Sequence, residues 1–282
     1  MKSDQQFTVS ALLGSIEPHA PLLKHPPDGQ LLYKITSIEN LLRSIMSNYL
    51  HFNRVDSYGD FPDADPHDGQ QLPKDEPGNV QTKFGKNSNF SAANYYDQAR
   101  ARTYACCFSL ENSDFIWNRY AKESPERKVC VVFNFGKLRG TLNQMLQRGN
   151  AVLEYKGMQC LQIFSVNYGI VEYVDWAAHR ANEEYLPNPI IYTYLKDSSD
   201  FHEEKELRIS LSAFGLGHFA LHSGSRMEFP SSLQFGFDFR GAIENGTIQQ
   251  ILYGPDCDLG SLVLELQTLR IVPFQGYTTA AV

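Results

Sequence analysis

The spacing of apolar positions changes several times along the chain, and each change marks an element. Leu31-Leu32-Tyr33-Lys34-Ile35 reads as a compact strand. Ile38, Leu41, Leu42, Ile45 and Met46 then recur at helical spacing behind Ser37, which is placed to act as the N-cap with Asn40 at the third helical position. A second short strand is predicted at 48–53 and a buried one at 103–109, and Val129–Phe135 is a continuous β-branched and aromatic run. Helices are predicted at 90–101, 114–122, 136–147 and 176–185, the last stopped by Pro187 and Pro189. Strands at 160–166 and 170–174 flank Asn167-Tyr168-Gly169. Beyond Lys196 strands dominate, at 207–213, at 231–239 with Leu233, Phe235, Phe237 and Phe239 alternating, and at 248–253. A Gly254-Pro255-Asp256 turn, a helix at 259–269 and a last strand at 270–274 complete the pattern.

Two stretches lack periodicity. Residues 1–30 hold one short apolar patch at 11–16 and a proline-punctuated lead-in, read as an N-terminal extension. Residues 56–90 form a long polar loop, and a loop of that length within a compact domain is usually functional. No repeat or linker divides the rest, so residues 31–282 are read as a single α+β domain. With 282 residues, 42% of them hydrophobic, the chain can bury a sizeable core. A net charge of -7 without a basic run argues against sequence-blind nucleic-acid binding. Five cysteines with no CxxC spacing point to reduced thiols. No run reaches the length of a membrane span and no apolar signal core follows Lys2. The expectation is a soluble cytoplasmic protein, with export into a host or target cell left open as the alternative, by a signal the sequence does not display.

The densest chemistry lies at Phe201-His202-Glu203-Glu204-Lys205-Glu206-Leu207-Arg208. In an extended backbone Glu204 and Glu206 share a face while Leu207, Ile209 and Leu211 take the other. Such a carboxylate pair suits a site that stabilises developing positive charge; a solvated strand start with salt bridges is the plainer reading. Gly215-Leu216-Gly217-His218-Phe219-Ala220 matches G-x-G-x-x-A, but no helix is predicted after it, and a dinucleotide turn needs one. His218 and His222 lack a third metal ligand at a telling spacing. Asp60, Asp63, Asp65, His67 and Asp68 lack the EF-hand glycine and glutamate and read as a flexible acidic loop, so no metal site is assigned. Cys106 and Cys107 read as inert buried thiols.

Several separated pieces together resemble a bacterial family catalogued as a domain of unknown function and associated with an ADP-ribosyltransferase-like fold. They are Leu32-Tyr33-Lys34, Tyr58-Gly59-Asp60-Phe61, Cys107-Phe108-Ser109, Trp117-Asn118-Arg119-Tyr120-Ala121, Val129–Phe133 and the Glu204-x-Glu206-x-Arg208 run, with Ile248–Asp256 similar to the family's tail. The likeness covers roughly residues 31–270. It implies a split, mixed or antiparallel sheet with flanking helices, NAD as substrate, and transfer of ADP-ribose to a protein as an effector or toxin would perform it. Protein is the expected acceptor, with nucleic acid ranked behind it. By position, Glu206 and Glu204 become the catalytic pair, Tyr33, Lys34 and Ser109 the cofactor contacts, and Trp117 or Tyr120 the ring that stacks on nicotinamide. Lys34 stands where the family has arginine, keeping the charge but losing the bidentate fork. That departure supports an alternative, a catalytically inactive binding module on the same fold, with a metal-dependent nucleic-acid enzyme third.

Overall fold

The computed structural model describes residues 22–60, 64–81, 91–122, 125–147, 151–155, 158–162, 164–181, 187–213, 218–221, 226–254, 257–269 and 271. The apolar patch at 11–16, Phe61 and Asp63 of the long loop, and His222 lie outside them.

In chain order the strands are β1 (Leu31–Ser37), β2 (Tyr49–Arg54), β3 (Thr103–Ser109), β4 (Lys128–Asn134), β5 (Ala151–Tyr155), β6 (Met158–Gln162), β7 (Phe164–Ile170), β8 (Glu172–Val174), β9 (Leu195–Asp197), β10 (Glu206–Ala213), β11 (His218–Leu221), β12 (Arg226–Glu228), β13 (Ser232–Gly236) and β14 (Ile248–Tyr253). The helices are α1 (Ile38–Ser47), α2 (Ala92–Arg100), α3 (Asp114–Arg119), α4 (Phe135–Gln147), α5 (Ser198–Phe201), α6 (Phe239–Glu244) and α7 (Leu259–Thr268).

The main sheet is antiparallel and forks at β3. One edge of β3 pairs along its whole length with β10, which in turn pairs with β7. The other edge is shared. Ser109, at one end, pairs with Tyr33 of β1, which leads on to β4 and β14. Tyr104 and Ala105, towards the other end, pair with Arg54 and Asn53 of β2, which leads through β13 to β5, β6, β11 and β12. The architecture is α+β, a split antiparallel sheet with flanking helices, and among the described residues only the small β8–β9 pair is parallel.

Alternation dictates which face of the fork is dry. Leu207, Ile209 and Leu211 of β10 and Tyr104, Cys106 and Phe108 of β3 face one core with Phe133, Phe235 and Phe237. Each such side chain contributes about 1.5–3 kcal/mol on burial. The opposite face carries Glu206, Arg208 and Ser210, which are buried as well. It is covered by the 3-10 turn Pro189–Tyr194 and by residues 65–69, and its polar groups are bonded to them. Helix α1 starts as its sequence requires: the Ser37 hydroxyl accepts from the Asn40 amide. It stops at Asn48, whose φ of 51° is the left-handed C-cap conformation that asparagine tolerates.

Two expectations, for 167–169 and for 176–185, are corrected. Asn167-Tyr168-Gly169 lies inside β7 rather than between strands, because Gly169 lets the Tyr194 ring pack flat on the sheet where a Cβ would sit 2.7 Å from it. Trp176–Ala178 is a single turn closed by bonds to the Asp175 carbonyl and not the start of a helix. Of the expected last strand at 270–274 only Ile271 lies among the described residues, and its amide bonds back to the Leu266 carbonyl at 2.9 Å. His218–Leu221 is a strand, so the glycine motif before it opens no dinucleotide-binding helix. Residues 24–30 are bound to the domain: the Lys24 carbonyl accepts from the Ile170 amide at 2.7 Å and the Gln30 carbonyl from the Phe135 amide at 2.9 Å. No helix among the described residues is long and apolar enough to cross a membrane.

Candidate functional site

Between Ala105 and Ser109 the free edge of β3 has no strand partner, because β1 and β2 diverge there. Two side chains occupy that edge instead. The Lys34 ammonium donates to the Cys107 carbonyl at 3.1 Å, and the Tyr58 hydroxyl donates to the Ala105 carbonyl at 3.1 Å. The divergence leaves a cavity of about 560 Å³, a size that suits a nucleotide-sized ligand. One wall comes from β1, α1 and β2, with Lys34, Asn40, Arg43, Ser44, His51 and Asn53. The other comes from β3 and the approach to β10, with Cys107, Ser109, Glu204 and Glu206, and Tyr33 and Tyr120 also line it.

Of the residues singled out from sequence, Tyr33, Lys34, Ser109, Tyr120, Glu204 and Glu206 thus meet at one cavity. Trp117 does not. Its indole N–H donates to Asn112 at 2.7 Å, and its ring packs with Cys130, Val132 and Leu252 on the far side of β4. Ser109 is committed to the backbone: its hydroxyl bonds the Glu204 and Glu111 carbonyls at 2.8 and 2.9 Å, which anchors the turn carrying Glu204.

The two glutamates reach the cavity by a route other than strand alternation. Glu204 ends a 3-10 turn (His202–Glu204) and Glu206 begins β10, with Lys205 between them at φ 46°. That left-handed residue turns the chain so that both carboxylates point inward; it is an unusual conformation for a side chain of this size. Both carboxylates are then enclosed in ion pairs. The Lys196 ammonium, from β9, lies 2.6 Å from Glu204 and 2.9 Å from Glu206. The Arg208 guanidinium meets both Glu206 oxygens at 2.7 and 3.1 Å. It also meets both Asp68 oxygens at 2.5 and 2.6 Å, and the Thr193 carbonyl at 2.8 Å. Arg119 stands 3.8 Å from Glu204, its guanidinium over the Phe115 and Phe201 rings.

The electrostatics follow from this enclosure. Burial alone would raise the Glu206 pKa, but the Arg208 and Lys196 charges outweigh it and hold the carboxyl well below the usual carboxylate range. Burial disfavours the Lys196 charge, yet Glu206 and Glu204 keep its pKa well above that of an ordinary lysine. Burial, then the neighbouring Glu206 carboxylate, pushes the Cys107 thiol up, and burial raises the other cavity cysteine, Cys106, so both favour the thiol form. On the opposite wall, burial and Lys34 lower the His51 pKa while its bond to Asn53 opposes them.

No family model matches the chain, and no curated protein matches it. Among solved structures the chain aligns with "Thermus sp. 2.9 DarT in complex with ADP-ribosylated ssDNA", at 11% identity and a TM-score of 0.36 over 91% of this chain and 97% of that one. The ADP-ribosylated single-stranded DNA of that complex stands against the ranking of protein ahead of nucleic acid as acceptor, and the ranking is withdrawn.

Sequence reasoning missed the residues that set the charge of the site. Asp65 and Asp68 belong to no flexible acidic loop: both are buried, and Asp68 is clamped by Arg208 while its carbonyl accepts from Arg100 at 2.7 Å. Arg208 could have been suspected, since it lies two residues from Glu206 on the same strand face. Lys196 gave no signal, for it reaches the acids through the β8–β9 pair and not through local spacing.

Proposed function

We propose that this chain is a binding module whose forked-sheet cavity takes an anionic nucleotide, with NAD the candidate that the family resemblance supplies. One observation carries the reading: Glu204 and Glu206 face the cavity already neutralised by Lys196 and Arg208. A transferase of this type needs negative potential where the ribose becomes cationic. Here four positive charges, on Lys34, Arg119, Lys196 and Arg208, stand against four buried carboxylates, Asp65, Asp68, Glu204 and Glu206, so the acid pair leaves no excess of negative charge. Lys34, Arg43 and His51 are placed to receive phosphate, and Tyr120 offers flat apolar surface for a ring, so the residues present fit a dinucleotide.

The second reading, NAD-dependent ADP-ribosyl transfer, is favoured by the meeting of Lys34, Ser109, Tyr120 and Glu206 at one cavity. In that reading a Glu206 oxygen would bond a ribose hydroxyl and stabilise the cation left as nicotinamide departs. Titration calorimetry with NAD, alongside chromatographic detection of nicotinamide, separates the two. Binding without nicotinamide release supports the module. Release that Glu206→Gln abolishes supports the transferase, and absence of NAD binding overturns both.

A further inference from the structure

Lys196 was singled out by no motif, yet it has the most informative position in the molecule. Its side chain is 8% exposed and does not line the cavity, but its ammonium is shared by the two carboxylates that do. The Phe201 ring lies 5.2 Å from that ammonium on another side. The arrangement is held from two directions. Lys196 sits opposite Tyr173 in the β8–β9 pair, and the Tyr173 hydroxyl accepts the Glu206 amide at 2.8 Å. The ion that sets the charge seen by a ligand is therefore pinned to the backbone that carries Glu206. Arg208 differs, because one of its two carboxylates, Asp68, does not line the cavity.

We propose that Lys196 determines ligand specificity from behind the cavity wall, acting through Glu204 and Glu206 so that the site accepts anionic nucleotides and discriminates against neutral ones. The inference rests on the binding reading above and deepens it. Without Lys196, Glu204 would keep only the more distant Arg119, and the wall would turn negative. A unit charge about 10 Å from a phosphate, at an effective dielectric of about 20, changes its affinity on the order of tenfold. A neutral ligand is unaffected to first order.

The experiment measures the affinity ratio of ADP-ribose to adenosine by calorimetry at fixed ionic strength, in wild type, Lys196→Met, Lys196→Arg and Lys196→Met with Glu204→Gln. The expected result is a ratio lowered about tenfold in Lys196→Met, with adenosine affinity unchanged, and restored in the other two variants. Loss of packing alone would weaken both ligands together and would not be rescued by removing Glu204. Should Lys196→Met not fold, Glu204→Gln alone carries the test, and its ratio should rise by a similar factor. A ratio that stays constant across the folded variants, while wild type binds ADP-ribose, overturns the role of Lys196 and leaves the binding reading standing. Wild type that binds neither NAD nor ADP-ribose overturns both.

Discussion

Removing the Arg208 guanidinium should be among the most destabilising single changes available to this protein. Arg208 is fully buried, and it makes two bonds to Asp68, two to Glu206 and one to the Thr193 carbonyl. Arg208→Met keeps the length and apolar stem but strands Asp68, which is only 2% exposed, and leaves Glu206 with Lys196 and the Cys107 thiol. Breaking a buried ion pair from one side costs about 3–5 kcal/mol, because the orphaned charge has lost both water and partner. Against a typical domain stability of about 5–15 kcal/mol that is a large fraction. Asp68→Asn should cost less, about 1.5–3 kcal/mol, since its amide oxygen can still accept from the guanidinium. The double variant should be more stable than the sum of the single losses predicts, by about 1–3 kcal/mol, because it removes a pair and not half of one. Urea unfolding of all four proteins, followed by fluorescence and compared at constant slope, measures the cycle. Losses that add without coupling, or an Arg208→Met loss below about 1 kcal/mol, would refute the claim that this network holds the site together.

The same network fixes the response to acid. The Glu206 pKa is depressed in the folded protein below its unfolded value of about 4.3. Its contribution is therefore fully present above that value and is lost as the pH falls through the folded pKa. Unfolding in acid should steepen below about pH 4, and Glu206→Gln should flatten that limb.

Two further outcomes test the geometry directly. Gly169→Ala places a Cβ 2.7 Å from the Tyr194 ring, whose hydroxyl is held by Ser210 and the Asn167 carbonyl, and should lower stability by about 1–3 kcal/mol in a thermal-shift or urea assay. Lys205→Gly should cost little at φ 46°, whereas Lys205→Ile should cost about 1–2 kcal/mol and weaken ligand binding by turning Glu204 away from the cavity.

Local spacing alone determined most of the elements. The Ser37 N-cap and helix α1, the strands now numbered β1, β3, β4, β10 and β14, and the inward faces of Leu207, Ile209 and Leu211 were all legible, because capping and side-chain period act within a few residues. Where a residue answered to a distant partner, the pattern misled. Asn167-Tyr168-Gly169 looks like a turn until Tyr194 is seen to need the glycine, and the 65–68 acids look solvated until Arg208 is found beneath them. The candidate site divides in the same way. The family resemblance nominated Lys34, Ser109, Tyr120, Glu204 and Glu206, but only the forked sheet brings them to one cavity and sends Trp117 elsewhere. Whether those glutamates present negative charge to a ligand was decided by tertiary structure alone. Coulomb interaction depends on distance through space, and Lys196 and Asp68 reach the acid pair from strands and turns that sequence spacing does not connect to it.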